Sequence, residues 1–151
     1  MGWTHHDSAE LYNVPNWGEG FFSIGEKGHM EVVPDGVPDG HRVNLTELIG
    51  ELLERGIEAP MLVRFDGILR ARVRALYAAF NDAREEFDYD ATYRLIYPIK
   101  VNQDRHVLEA LLQAGRELKM GLEVGSKPEL LAGIAMQAGK DALMICNGYK
   151  D

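Results

Sequence analysis

Three short stretches, each running from apolar residues into polar ones, hold the side chains that could do chemistry: "YPIKVNQ" at 97–103, "GLEVGSKPEL" at 121–130 and "ICNGYKD" at 145–151. The first places Lys100 at the end of an apolar run. A buried ammonium without a partner is costly, and strand ends in α/β proteins are where sites are built. Counting alternate residues puts Lys100 on the side of Ile96 and Pro98. If that side faced a barrel interior, desolvation would disfavour the charged form and free a nucleophilic amine, as a Schiff-base lysine requires. The opposing reading is a lysine whose stem follows the sheet while its ammonium reaches water. On strand position alone that second reading is the commoner one.

The second stretch offers Glu123 at a strand end, then Ser126, the open N–H groups of a helix start, and Glu129. A helix N-terminus suits an anion or a polar ring substituent. Glu123 is placed to meet a cation near Lys100 if the two strands are neighbours. Ser126 and Glu129 also form an S-x-x-E capping box, which accounts for Ser126 without any ligand. For the third stretch, lining a site and merely turning the chain both remain open. The five histidines show neither H-x-x-x-H nor H-E-x-x-H spacing, so no histidine-built metal site is expected.

The elements that must position these residues follow from pattern. Residues 1–20 read as irregular. "FFSI" at 21–24 and "HMEVVP" at 29–34, joined by "GEKG", predict a hairpin, and "DGVPDG" at 35–40 predicts a loop. From residue 44 helices and strands alternate. Asn44 with Glu47 resembles a capping box, and Leu45, Leu48, Ile49 and Leu52 share one helical face up to Gly56. "PMLVRF" at 60–65 reads as a strand. Asp66 can cap a helix with the stripe Leu69, Val73, Leu76 and Phe80. Strands are predicted at 92–100, 120–124 and 142–147, and helices after Asn102 or Asp104 and after Ser126, ending at Gly115 and Gly139. Near-continuous apolar strands alternating with helices mark a parallel sheet covered by helices. The division predicted is an N-terminal β segment over 1–43 and an α/β part over 44–151.

Composition is that of an ordinary globular protein, 46% hydrophobic and 26% charged. The net charge of −8, with no basic face, argues against phosphate-mediated nucleic-acid binding. Cys146, the one cysteine, allows no internal disulfide or cysteine zinc site and reads as a small buried hydrophobe. No apolar run approaches the ~18 residues of a membrane helix. The N-terminus has neither signal-peptide nor myristoylation features. No membrane and a cytoplasmic location are the expectation.

Taken in order, the three stretches resemble the biosynthetic arginine decarboxylases, pyridoxal-phosphate (PLP) enzymes of the alanine-racemase-like barrel class. "NWGEGFFSI" at 16–24 and "PMLVRFDGILRARVRALYAAF" at 60–80 extend the resemblance over nearly the whole chain. It implies an α/β fold that begins a PLP-binding (β/α)8 barrel after a short β segment. It implies that Lys100 holds PLP as a Schiff base, with Glu123 catalytic and cofactor-binding and Glu129 cofactor-binding. It implies decarboxylation of L-arginine to agmatine on the route to spermidine and other polyamines, use of Mg2+, and homo-oligomers. Val124 departs from an expected alanine and could crowd the site slightly. Length departs more: such a barrel takes about 250 residues. The phosphate loop, the partner of the pyridinium nitrogen and the guanidinium contacts would therefore lie beyond residue 151. A piece of this size alone is expected to fold poorly and not to turn over arginine. Alternatives are another barrel-type basic-amino-acid or diaminopimelate decarboxylase, a non-catalytic PLP-binding homeostasis module, and a small α/β interaction domain. "NWGEGFF" favours the arginine group, and the hairpin speaks against the homeostasis module.

Overall fold

The computed structural model describes residues 2–37, 40–136 and 141–149. The chain divides into two compact units, 1–71 and 72–151, with the division inside a long helix.

The N-terminal unit opens with two short helices, α1 (His5–Leu11) and α2 (Val14–Gly18). This corrects the reading of residues 1–20 as irregular. The missed signal is Thr4-x-x-Asp7. The Thr4 hydroxyl accepts from the Asp7 N–H at 3.3 Å, and the Asp7 carboxylate accepts from the Thr4 N–H at 2.7 Å. This reciprocal cap satisfies two of the donors that a helix start leaves open.

The predicted hairpin is present as β1 (Phe22–Ile24) and β2 (Met30–Val32), with Phe22 opposite Val32. A further strand that the pattern did not reveal, β3 (Val43–Asn44), pairs with β2 on its other side. Val14, Val32 and Val33 are fully enclosed. Asn44 ends β3 and caps α3 (Leu45–Glu54), its side chain accepting from the N–H groups of Thr46 and Glu47. Gly56, at φ +84°, stops that helix as expected.

Residues 60–65 form no strand, contrary to the apolar pattern. A strand exists only where its backbone finds a partner. Among the described residues none pairs with this segment, and Leu62 stays 76% exposed. The helix that follows, α4 (Asp66–Glu86), buries Val73 of the predicted stripe but leaves Leu76 and Phe80 half exposed.

In the C-terminal unit, β4 (Ile96–Pro98), β5 (Gly121–Val124) and β6 (Met144–Cys146) form a parallel sheet in that order. Their connections run through α5 (Arg105–Gly115) and α6 (Lys127–Ala135). Register pairs Tyr97 with Leu122 and Leu122 with Met144. That row packs beneath the helices, where Ile99, Leu108 and Val124 form the core with Tyr97, Leu130, Met136 and Met144 around it. The alternate row, Pro98, Glu123 and Ile145, points to the other face. Ile145 is 44% exposed there.

Three strand expectations change in detail. The run at 92–100 gives a strand only at Ile96–Pro98, followed by a 3-10 turn at Ile99–Val101. Tyr93 is drawn out of the ladder by stacking on Phe80 at 4.3 Å. Pro98 has no N–H with which to prolong it. Cys146 is exposed rather than buried, because β6 is the outermost strand of the sheet among the described residues. The helix after Ser126 closes at Ala135, and the predicted stop at Gly139 lies outside the described residues.

Candidate functional site

Parallel strands bring their C-terminal ends to one edge of a sheet. Here that edge gathers the 3-10 turn with Lys100, the Glu123–Ser126 segment and the Asn147–Gly148 turn. All three stretches singled out by residue type are thus brought together.

Lys100 sits one residue into the 3-10 turn, so strand alternation no longer dictates its direction. This corrects its assignment to the side of Ile96 and Pro98. Its side chain is exposed and makes no hydrogen bond or ion pair among the described residues. The turn is held from beneath by fully buried Ile99 and from beyond by a double cap. Asn102 Oδ1 accepts from the Asp104 N–H at 2.9 Å, and Asp104 Oδ1 accepts from the His106 N–H at 3.1 Å. The sequence pattern offers Asn102 and Asp104 as alternative caps; Asp104 is the cap, and Asn102 steadies it through the Asp104 N–H. The Tyr97 hydroxyl donates to the Asn102 carbonyl at 3.5 Å, and burial pushes its pKa up.

Glu123 lies on β5 at the register position beside Pro98, so the condition that β5 neighbour the strand leading into Lys100 is met. Its Oε1 accepts from Asn147 Nδ2 at 3.1 Å. Gly121 starts the same strand because a Cβ there would collide with the Leu143 carbonyl. Ser126 Oγ accepts from the Glu129 N–H at 3.3 Å, completing half of the capping box. The other half differs from the pattern: Glu129 Oε2 accepts from the Gly125 N–H at 2.7 Å, one residue before the cap. Glu129 is therefore committed to shaping the turn. Asn147 was not assigned a role from sequence, since Asn-Gly is equally a turn signal.

A separate groove of about 410 Å3 is lined by Phe80, Phe87, Tyr89, Tyr93, Arg84 and Arg94, and Lys100 is not on it. Arg84 Nη1 donates to Asn81 Oδ1 at 2.8 Å, while its buried Nε has no partner among the described residues. Among the described residues no group of three or more His, Cys, Asp or Glu is gathered to hold a metal.

An exposed primary amine, a carboxylate one strand away and a helix N-terminus together suit a carbonyl-bearing anionic ligand: an amine to condense, a negative charge to hold a proton, and N–H groups to face an anion. Parallel strands joined by helices, with polar residues gathered on one edge, are an arrangement with which a (β/α)8 barrel opens. The family model for the pyridoxal binding domain of pyridoxal-dependent decarboxylases matches residues 73–151. That is more than half of the chain, and the chain belongs to this family.

It is 48% identical, over 99% of its length, to the biosynthetic arginine decarboxylase of Gloeobacter violaceus. The corresponding figures for the biosynthetic arginine decarboxylase of Phocaeicola vulgatus are 49% and 99%. The crystal structure of the biosynthetic arginine decarboxylase from Campylobacter jejuni superposes on 93% of the chain with a TM-score of 0.84 and 31% identity. The chain spans 23% of the length of each of these three proteins.

Proposed function

We propose that this chain forms the start of the catalytic barrel of a PLP-dependent arginine decarboxylase, a carboxy-lyase that converts L-arginine to agmatine and CO2. The observation that carries the reading is the Lys100 amine in the turn leaving β4, unpaired among the described residues, with Glu123 on the adjacent strand. Family membership supports the cofactor, and the names of the relatives support the substrate.

These residues fit PLP. Lys100 presents an exposed primary amine that makes no ion pair among the described residues, and it would hold the aldehyde cofactor covalently. Glu123 would offer a carboxylate from the adjacent strand. Glu129 serves the same cradle indirectly, by fixing the Gly125–Ser126 turn. When bound, PLP supplies an electron sink for the carbon that loses CO2. Lys100 would be the residue that holds the group between turnovers. The described residues do not fit Mg2+, and no step is routed through it. Agmatine as product places the protein in arginine breakdown and spermidine synthesis, and cytoplasmic homo-oligomers belong to the same reading.

The test uses the full-length protein that contains this chain. Borohydride reduction after incubation with PLP, followed by peptide mapping, is expected to label Lys100. The Lys100→Arg variant should lose that label and at least about 10^3-fold in arginine decarboxylation. Label at another residue rejects the reading. Label at Lys100 without CO2 release from arginine points instead to a binding module or another substrate.

A further inference from the structure

We propose that Asn147 is a positioning residue for Glu123, clamping one carboxylate oxygen so that the other faces the chemistry beside Lys100. The inference rests on the function just proposed and answers what the third polar stretch does. Asn147 stands immediately after β6, and its backbone N–H donates to the Val124 carbonyl at 2.9 Å, which stitches it to the end of β5. The Gly148 N–H donates to Asn147 Oδ1 at 3.0 Å. That bond fixes the orientation of the side-chain amide and turns Nδ2 towards Glu123 Oε1 at 3.1 Å, across 24 residues of sequence.

Glu123 makes no other hydrogen bond among the described residues, so Oε2 is left open. A neutral amide is well matched to this role, because it orients a carboxylate while leaving its charge intact, where Lys or Arg would neutralise it. Gly148 closes the arrangement. Its φ is +73°, and a Cβ there would lie 2.8 Å from the Gly125 carbonyl oxygen. The two loops therefore meet backbone to backbone, and both ends of the Asn147 amide are occupied.

Asn147 thus has two jobs, a turn made through Oδ1 and a clamp made through Nδ2, and Asn147→Asp separates them. Aspartate still accepts from the Gly148 N–H but loses the donor and sets a like charge beside Glu123. In the full-length protein, Asn147→Asp should lower kcat/KM for arginine by about 10- to 100-fold. The thermal midpoint and borohydride capture at Lys100 should stay as in the parent. In a Glu123→Gln background the same substitution should cost less than about twofold, because no carboxylate remains to be clamped. A parent-like Asn147→Asp, or an equal loss in both backgrounds, overturns the clamp and leaves only the turn.

A readout independent of activity is the side-chain amide resonance of Asn147 in selectively labelled protein. It should shift in Glu123→Gln and stay fixed in Glu129→Gln, and an unmoved resonance in Glu123→Gln overturns the inference. Failure of the underlying function is distinct, since it appears in the unsubstituted protein as absent label at Lys100 or absent CO2.

Discussion

In the N-terminal unit, β2 lies between β1 and β3, and both neighbours are close to it in sequence. In the C-terminal unit, β5 likewise lies between two strands, but each neighbour is reached only by a helical crossover. The antiparallel arrangement alternates its strand ends between two edges, so polar loop residues are scattered. The parallel one stacks its strand ends on a single edge. That is why Lys100, Glu123 and Asn147 come together although they are distant in sequence. The cost is visible as well. In the N-terminal sheet Val32 is fully enclosed while its strand neighbours are part-buried, whereas on the parallel sheet Ile145 and Leu143 stay nearly half exposed on the face away from the helices.

The sharpest way to break this contrast is to substitute across the two faces of the parallel sheet. Ile99→Ala, beneath the helices, should destabilise the unit by about 2–5 kcal/mol in urea or thermal melts. In the full-length protein Ile145→Thr, on the face that a closed barrel turns inwards, should cost about 1–3 kcal/mol. A parent-like Ile145→Thr would show that this face stays open to solvent in the whole molecule.

The next effect is smaller and compares helix starts between the units. Asn44→Ala and Ser126→Ala each remove a side-chain cap and should each cost about 1 kcal/mol. A loss confined to one unit would mean that the other unit's cap is dispensable.

The smallest concerns pH. The carboxyl of Asp7 is held below its usual range, chiefly by its hydrogen bond with the Thr4 side chain. Because its folded pKa is the lower one, this support for α1 is present above about pH 4 and is lost as pH falls through the lowered value. The Asp7 side-chain carboxyl resonance should titrate below the usual aspartate range, and Thr4→Ala should return it to that range.

How much the sequence disclosed depended on whether the governing signal was local. Caps at Asn44, Asp104 and Ser126 are local, and each was readable, as was the hairpin at Phe22–Val32. The parallel pairing of β4 with β5 was left open by the pattern, which predicted a parallel sheet but not its strand order. What stayed hidden depended on partners. Residues 60–65 looked like a strand but found no ladder among the described residues. β3 was too short to show a pattern and exists through β2. Cys146 reads as buried by type yet lies on the outermost strand of the sheet among the described residues. The box at Thr4–Asp7 was legible in principle, but Asp in place of Glu weakened its signature. The direction of Lys100 could not be read, because Pro98 ended the pleat one residue before it mattered. The role of Asn147 needed the Glu123 carboxylate in view.

The 3-10 turn at Ile99–Val101 bears on how this part of the molecule can change. Successive side chains in such a turn step round by about a third of a circle, where a pleated strand reverses them. The bearing of the Lys100 amine is therefore decoupled from the hydrogen-bond ladder. A change of backbone dihedrals within three residues could swing that amine to a new heading while the ladder between β4 and β5 kept its register, so the aim of this side chain and the integrity of the scaffold can vary separately.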